Sequence, residues 1–171
     1  MDKGAFDPQK LIIREAHADE FELIWPIFSD VVQRGDTYAY EPDINKQEAE
    51  RLWMQQTRRS YVALINEQVV GSYYIKTNQA GPGKHVCNCG YMVGSAARGK
   101  GAATAMCLHS QQQALELGYL AMQFNFVAAS NEVAVNLWLK LGFKKVGRLP
   151  KAFNHPQLGL VDAFVMHKSL V

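Results

Sequence analysis

A glycine-rich loop with two cations holds the residues whose types and spacing point most directly to chemistry. It spans residues 94–101 (GSAARGKG), after an apolar stretch and before a long helical pattern. Gly99 and Gly101 allow a ligand to approach the backbone closely. Free amides at a helix N-terminus attract anions, and Arg98 and Lys100 add positive charge there. The spacing is neither that of a nucleotide-hydrolase phosphate loop nor G-x-G-x-x-G, and it predicts a pyrophosphate site.

Two motifs resemble those of the GCN5-related N-acetyltransferase family. Arg98-x-x-Gly101-x-Ala103 fits the Gln/Arg-x-x-Gly-x-Gly/Ala motif of that family. Residues 131–143 read NEVAVNLWLKLGF and are similar to its N-x-x-A-x-x-L-Y-x-K-L-G-F segment. The resemblance extends over residues 11–170, and the order of predicted elements agrees with it.

The resemblance implies acetyl-CoA as co-substrate, no metal, and a cleft between two splayed strands. Backbone groups of one strand would pair with the pantetheine arm, and amides of the loop and the next helix would hold the pyrophosphate. Asn131 would reach the pantetheine or its thioester end. The implied cofactor-binding residues are Tyr91, Met92, Val93, Arg98, Gly99, Lys100, Gly101, Ala102, Ala103, Thr104, Asn131 and Trp138.

The chain departs from the family pattern at Trp138. Many relatives have a tyrosine there, which acts as general acid for the leaving thiolate. An indole N–H only donates and does not titrate usefully. A thiol has an ordinary pKa of about 8.5, so a CoA thiolate can also leave with water or a simple hydrogen-bond donor. We therefore expect Trp138 to be core and cleft wall.

Two amides, Asn88 and Asn125, lie on the strands that flank the expected cleft. Their segments NCG (88–90) and FNFV (124–127), with VGRLP (146–150), resemble yeast acetyltransferases of the proline analogue azetidine-2-carboxylate. That resemblance implies that both amides act in catalysis, orienting a small amino acid and the thioester carbonyl. Buried amides need hydrogen-bond partners, so the alternative is two structural amides that bridge the strands.

The sequence does not identify the group that accepts the proton of the amine, because the strand over residues 85–93 has no carboxylate. A chain of water molecules is favoured as the proton acceptor. His85 is the alternative general base, because the ordinary pKa of histidine is about 6.5. The loop over residues 35–42 (GDTYAYEP) is expected to form the substrate-side wall, since loop residues often carry function. The predicted substrate-binding residues are Asp36, Tyr38, Tyr40 and Glu41, whose two carboxylates are alternatively solvated charges or turn formers.

The elements that must position these residues follow from the apolar periodicity, which predicts the order β α α β β β α β α β β. The pattern indicates a first helix over about residues 19–33, kinked or split at Pro26. It also indicates last strands over residues 143–149 and 160–167. The resemblance implies an α/β fold: a strongly twisted, mixed sheet of about seven strands with about four helices, splayed between its central strands.

Composition restricts the class of protein further. The 171 residues predict a single domain with a loose segment at residues 1–10. A net charge of +2 argues against a nucleic-acid binder, and no apolar run approaches the roughly 20 residues of a membrane span. Three cysteines fit a reducing compartment, so we expect a cytoplasmic protein. The resemblance adds an expected homodimer.

These observations favour an enzyme that transfers an acetyl group from acetyl-CoA to the amine of a small molecule. The acceptor is expected to be an amino acid or a toxic analogue, and the transfer a direct attack in a ternary complex. One alternative is acetylation of a protein N-terminus or lysine. Another is a non-catalytic regulator that binds acyl-CoA, which Trp138 and the missing carboxylate base motivate.

Overall fold

The computed structural model describes residues 10–171, so the predicted loose segment lies, apart from Lys10, outside the described residues. Within this range the chain forms seven strands and four α-helices in the predicted order. The elements are β1 (Ile12–Glu15), α1 (Phe21–Arg34), α2 (Lys46–Glu50, continued by a π-helical turn over Arg51–Gln55), β2 (Arg59–Ile65), β3 (Gln68–Thr77), β4 (Val86–Val93), α3 (Ala102–Glu116), β5 (Ala121–Ala128), α4 (Glu132–Lys140), β6 (Lys144–His155) and β7 (Gly159–Ser169). None of these helices is long and apolar enough to cross a membrane.

The sheet is open at its centre. Its strand order is β1-β2-β3-β4-β5-β7-β6. The central pair, β4 and β5, is parallel and meets only at Val86 with Ala121 and at Cys87 with Met122. Beyond these two pairs the strands diverge, while every other neighbouring pair is antiparallel. The mixed sheet splayed between its central strands is therefore confirmed.

Helices cover both faces of the sheet, and successive side chains of β3 alternate between them. Tyr73 and Ile75 enter the apolar cluster that includes Met106 of α3. Tyr74 enters the cluster on the opposite face, which is built largely from α1 and the turn after α2 and includes Trp53. The apolar residues of α1 that recur at helical spacing lie in this second cluster, as their periodicity predicts.

Two predicted details of the elements differ from the structure. The helix α1 runs unbroken through Pro26, so the expected split is absent. Pro26 is exposed and lies in the second turn of α1, where its missing N–H removes one helical hydrogen bond without ending the helix. The strand β6 continues past its predicted end at Leu149, because its register with β7 shifts between Leu149 and Phe153. This irregularity accommodates Pro150, which a regular ladder would not.

The carboxylate of Glu20 stabilises the 3-10 turn over Ala18–Glu20, which leads from β1 into α1. The Arg14 guanidinium donates to its two oxygens at 2.8 and 2.6 Å, and the His17 amide donates at 2.7 Å. These bonds, the guanidinium first, lower the pKa of Glu20 from 4.5 to about 2. Because the folded-state pKa is depressed, the stabilisation is complete above pH 4.5 and is lost as the pH falls toward 2.

We expect Glu20→Gln to lower the free energy of unfolding by about 1.5 kcal/mol at pH 7, the low end of the scale of hydrogen bonds to charged groups. The loss should shrink between pH 4.5 and 2, where wild-type Glu20 itself becomes protonated. Urea unfolding at a series of pH values measures both effects. Glu67→Gln, in the exposed β2–β3 turn, is the matched control. A loss of equal size at pH 7 and pH 2 would show that the charge is not the cause.

Candidate active site

A cavity of about 1160 Å³ opens where β4 and β5 diverge, and we call it the central cleft. Its lining is drawn from the ranges 36–40, 88–93, 97–99, 101–104, 124–128 and 131–140, together with Val31, Arg34, Tyr74 and Lys76. The loop between α1 and α2 thus faces it from one side, and α4 from another. Its volume exceeds the few hundred to 1,000 Å³ typical of pockets for drug-sized ligands, so it suits an elongated coenzyme together with a small second substrate.

The structure brings most of the predicted site residues to this cleft. Lys100 and Glu41 are outside its lining. The Lys100 ammonium donates to the Ala96 carbonyl at 2.8 Å, and Glu41 borders a separate shallow depression. His85 is exposed and also lies outside the lining. The predicted residues that line the cleft are Asp36, Tyr38, Tyr40, Asn88, Tyr91, Met92, Val93, Arg98, Gly99, Gly101, Ala102, Ala103, Thr104, Asn125, Asn131 and Trp138.

The N-terminus of α3 forms one end of the cleft. Its first helical hydrogen bond runs from the Ala105 amide to the Gly101 carbonyl, so the amides of residues 102–104 lie at the open end. Gly99 and Gly101 have φ values of 71° and 93°, which favour glycine. Amides and helix dipole together suit this end to a pyrophosphate.

The Arg98 side chain is already engaged by protein groups. Its guanidinium donates to the Asp30 carboxylate at 2.7 Å and to the Val93 carbonyl at 3.3 Å. These contacts fix the loop against α1 and offset part of the positive charge. The backbone amides therefore account for more of the anion site than the cationic side chains of the loop.

Asn88 bridges the two central strands at the point where they separate. Its Nδ2 donates to the Gln123 carbonyl at 2.9 Å, and its Oδ1 accepts from the Tyr74 hydroxyl at 3.1 Å. The residue is 7% exposed and follows Cys87, the last β4 residue paired with β5. Asn88 therefore bridges the strands as a structural amide would, which is the alternative given for it above, and it does so at the edge of the cleft.

Asn125 lies on the opposite wall, where the pairing of β5 with β7 is irregular between Phe124 and Val127. Bulges of this kind redirect side chains next to active sites. The Asn125 Nδ2 donates to Asn78 Oδ1 at 2.6 Å, and its Oδ1 accepts from Gln123 Nε2 at 2.9 Å. Two neighbouring amides therefore fix its orientation.

The predicted substrate-side loop contributes an aromatic wall. The Tyr38 hydroxyl donates to the Tyr91 carbonyl at 2.8 Å, and the Tyr38 and Tyr40 rings stack with centroids 5.5 Å apart. Burial raises the pKa of the Tyr38 and Tyr74 phenols, so both stay protonated as hydrogen-bond donors. Asp36 Oδ1 is buried without a hydrogen-bond partner among residues 10–171, and no other carboxylate of that range lines the cleft.

The opposite wall is apolar near Trp138. This side chain is 8% exposed and packs against Tyr91 and Phe124 with centroids 5.2 and 5.0 Å apart, which is the core-and-wall position expected of it. The side chain of Asn131 caps α4 by accepting from the Ala134 amide at 3.2 Å. Burial raises the pKa of the Cys89 thiol in the cleft, and a protonated thiol is a poor nucleophile.

Sequence reasoning missed Tyr74 and Lys76 of β3, which also line the cleft. The signal was available in the strand's period of two, which places Ser72, Tyr74 and Lys76 on one face. Asn78, the partner of Asn125, was missed because it follows β3 in a turn, where periodicity carries no information.

Comparison with known proteins agrees with this geometry. Residues 17–143 match the Acetyltransferase (GNAT) family. Over 98 residues the chain is 32% identical to N-acetyltransferase aca1 of Schizosaccharomyces pombe, a match that covers 57% of this chain. The match spans 47%, about half, of that relative's length.

Solved structures share the fold. A GCN5-related N-acetyltransferase from Kribbella flavida is 40% identical, with a TM-score of 0.90 over 95% of this chain and 99% of that one. A phosphinothricin acetyltransferase from Sinorhizobium meliloti in complex with AcCoA is 19% identical, with a TM-score of 0.82 over 94% and 88% of the two chains. The chain belongs to the GNAT family, and the S. pombe and Kribbella relatives named above are N-acetyltransferases.

Proposed function

We propose that this enzyme transfers the acetyl group of acetyl-CoA to the amine of a small molecule, an amino acid or a toxic analogue of one. The observation that carries the proposal is the two-ended cleft. One end offers the free amides of α3, and the other is a partly aromatic space between β3, β4 and the loop 36–40. The phosphinothricin acetyltransferase fold of the S. meliloti relative supports a small acceptor.

Named residues of the cleft would hold acetyl-CoA. The amides of residues 102–104 would bind the pyrophosphate, and backbone groups of Tyr91 and Val93 would pair with the pantetheine as an added strand does. The Tyr91 carbonyl already accepts from Tyr38 and keeps a second lone pair. Trp138 would cover the apolar side of the thioester end.

Transfer would proceed by direct attack. The amine nitrogen attacks the thioester carbonyl carbon, the C–N bond forms, the C–S bond breaks, and CoA leaves as a thiol after taking up a proton. The nitrogen loses its own proton to water or to a carboxylate of the cleft. No acetyl-cysteine intermediate is needed, because burial keeps Cys89 protonated.

A thiol-release assay over amino acids, polyamines and amine antibiotics tests this function. We expect CoA release with amino-acid acceptors, and double-reciprocal lines that intersect when both substrates are varied. Parallel lines would indicate a covalent intermediate instead of direct attack. Release of no CoA with any amine, from protein shown to bind acetyl-CoA, would refute the transfer.

Asn125→Ala is expected to lower turnover about tenfold, the scale of one hydrogen bond of about 1.4 kcal/mol. The dissociation constant of acetyl-CoA should change less than about twofold, because Asn125 lies on β5 and not at the N-terminus of α3, where the pyrophosphate would bind. Steady-state kinetics and equilibrium binding measure the two quantities. Asn154→Ala, exposed on β6, is the matched control. Equal loss of turnover and of acetyl-CoA binding would assign Asn125 to structure.

A further inference from the structure

We propose that Lys76 binds the carboxylate of the acceptor, so that the enzyme selects amino acids by their carboxylate. The proposal rests on the proposed function and names a specificity-determining residue for it. Lys76 lies on β3 and lines the central cleft. Two observations carry the assignment: its place along the cleft and its lack of an anionic partner within residues 10–171.

Lys76 lies far from the pyrophosphate end. In the β3–β4 ladder it pairs with Asn88, at the vertex where β4 and β5 separate. The N-terminus of α3 follows the opposite end of β4, after Val93. From Asn88 to Val93 the strand advances about 17 Å at ~3.3 Å per residue. The Lys76 charge is therefore placed to act on the acceptor and not on the phosphates.

The Lys76 ammonium has no anionic partner in the described chain. It is half-buried and lies 5.3 Å from the centroid of the Tyr74 ring, and none of the ion pairs within residues 10–171 includes it. By contrast, Arg98 at the other end is paired with Asp30. A partly desolvated cation without a carboxylate favours an anionic ligand, because pairing offsets its desolvation.

The charge of Lys76 favours an acceptor that carries a carboxylate over one that carries a second cation. Polyamines and basic peptides would bring further positive charge next to Lys76 and be repelled. An α-amino acid instead presents a carboxylate beside the amine to be acetylated, so one contact both neutralises Lys76 and positions the nucleophile.

The test compares acids with their amides. The acceptors are the common L-amino acids, azetidine-2-carboxylate and phosphinothricin, each assayed beside its carboxamide. In wild-type enzyme we expect kcat/KM for the best acid to exceed that of its carboxamide about 10- to 100-fold, and Lys76→Met to remove this preference. In this variant kcat/KM for the acid should fall, mainly because KM rises. The kcat/KM for the carboxamide and the affinity for acetyl-CoA should stay at their wild-type values. Lys84→Met, exposed and outside the cleft, is the control.

A binding measurement separates this proposal from the proposed function. Titration of the same amino acids into protein loaded with CoA reports the carboxylate site without turnover. Binding that depends on Lys76, in an enzyme that acetylates nothing, would support the site and refute the function. Acetyl transfer with equal losses for acid and carboxamide in Lys76→Met, or with no loss, would overturn the role of Lys76. Absence of amino-acid binding to wild-type protein would overturn it as well.

Discussion

Replacing Thr104 with aspartate is expected to weaken acetyl-CoA binding at least about 100-fold while the fold remains intact. Thr104 lies in the first turn of α3 and lines the cleft beside the free amides. A carboxylate about 4 Å from a phosphate oxygen costs about 4 kcal/mol at an effective dielectric of about 20. The same carboxylate favours the helix itself by about 0.3–1 kcal/mol, because it faces the positive end of the dipole.

Thr104→Asp is therefore expected to weaken acetyl-CoA binding and at the same time to stabilise the folded protein, so the two effects can be told apart. Equilibrium binding of acetyl-CoA measures the first effect, and the midpoint of urea unfolding measures the second. Thr104→Asn is the matched control, since it has nearly the shape of aspartate without the charge, and its affinity should stay within a few-fold of wild type. Equal affinities for the aspartate and asparagine variants would show that the phosphates do not bind at this helix end.

Gly90→Ala is expected to lower the free energy of unfolding by about 2–3 kcal/mol and to abolish most acetyl transfer. A Cβ built on Gly90 would lie 2.6 Å from Tyr74 Cε1 and 3.0 Å from the Tyr38 hydroxyl. Neither ring can move freely: Tyr74 packs edge-on against Trp53 at 4.9 Å, and Tyr38 bonds the Tyr91 carbonyl. The added methyl group would therefore displace the wall that faces the acceptor.

Gly147→Ala provides the comparison for this effect. Gly147 also lies in a strand, but its Cβ would meet only Val165, at an ordinary 3.5 Å. We expect little change in unfolding or in acetyl transfer for this variant. Chemical denaturation and steady-state kinetics on both proteins separate the specific clash from a general cost of alanine in a strand. Wild-type activity in Gly90→Ala would contradict the packing described for the two tyrosines.

Local signals in the sequence predict the elements and much of the cleft. Periodicity and glycine positions locate the helices, and the loop 94–101 lies at the helix start where its glycines and cations predict it. The predicted end of β6 at Leu149 is too early, because the register shift that carries the strand past Pro150 depends on pairing with β7. Such long-range pairing leaves no mark on nearby residues.

The partners of charged and amide side chains are equally non-local. The spacing of Arg98 in its motif does not reveal Asp30, which comes from α1, 68 positions earlier in the chain. The sequence places Asn88 beside the cleft but not its bonds to Tyr74 and Gln123, which depend on the tertiary arrangement of three strands. The kind of site is therefore predictable from the sequence. Whether a given side chain binds a ligand or holds other residues in place requires the structure.

The most direct test of acetyl transfer follows the acetyl group itself. Purified enzyme is incubated with acetyl-CoA labelled in its acetyl group and a mixture of L-amino acids, azetidine-2-carboxylate and phosphinothricin. Mass spectrometry then identifies labelled products while a thiol reagent quantifies CoA. We predict one labelled N-acetyl amino acid formed for each CoA released. Release of CoA without any acetylated amine, or binding of acetyl-CoA with neither product, would contradict the account.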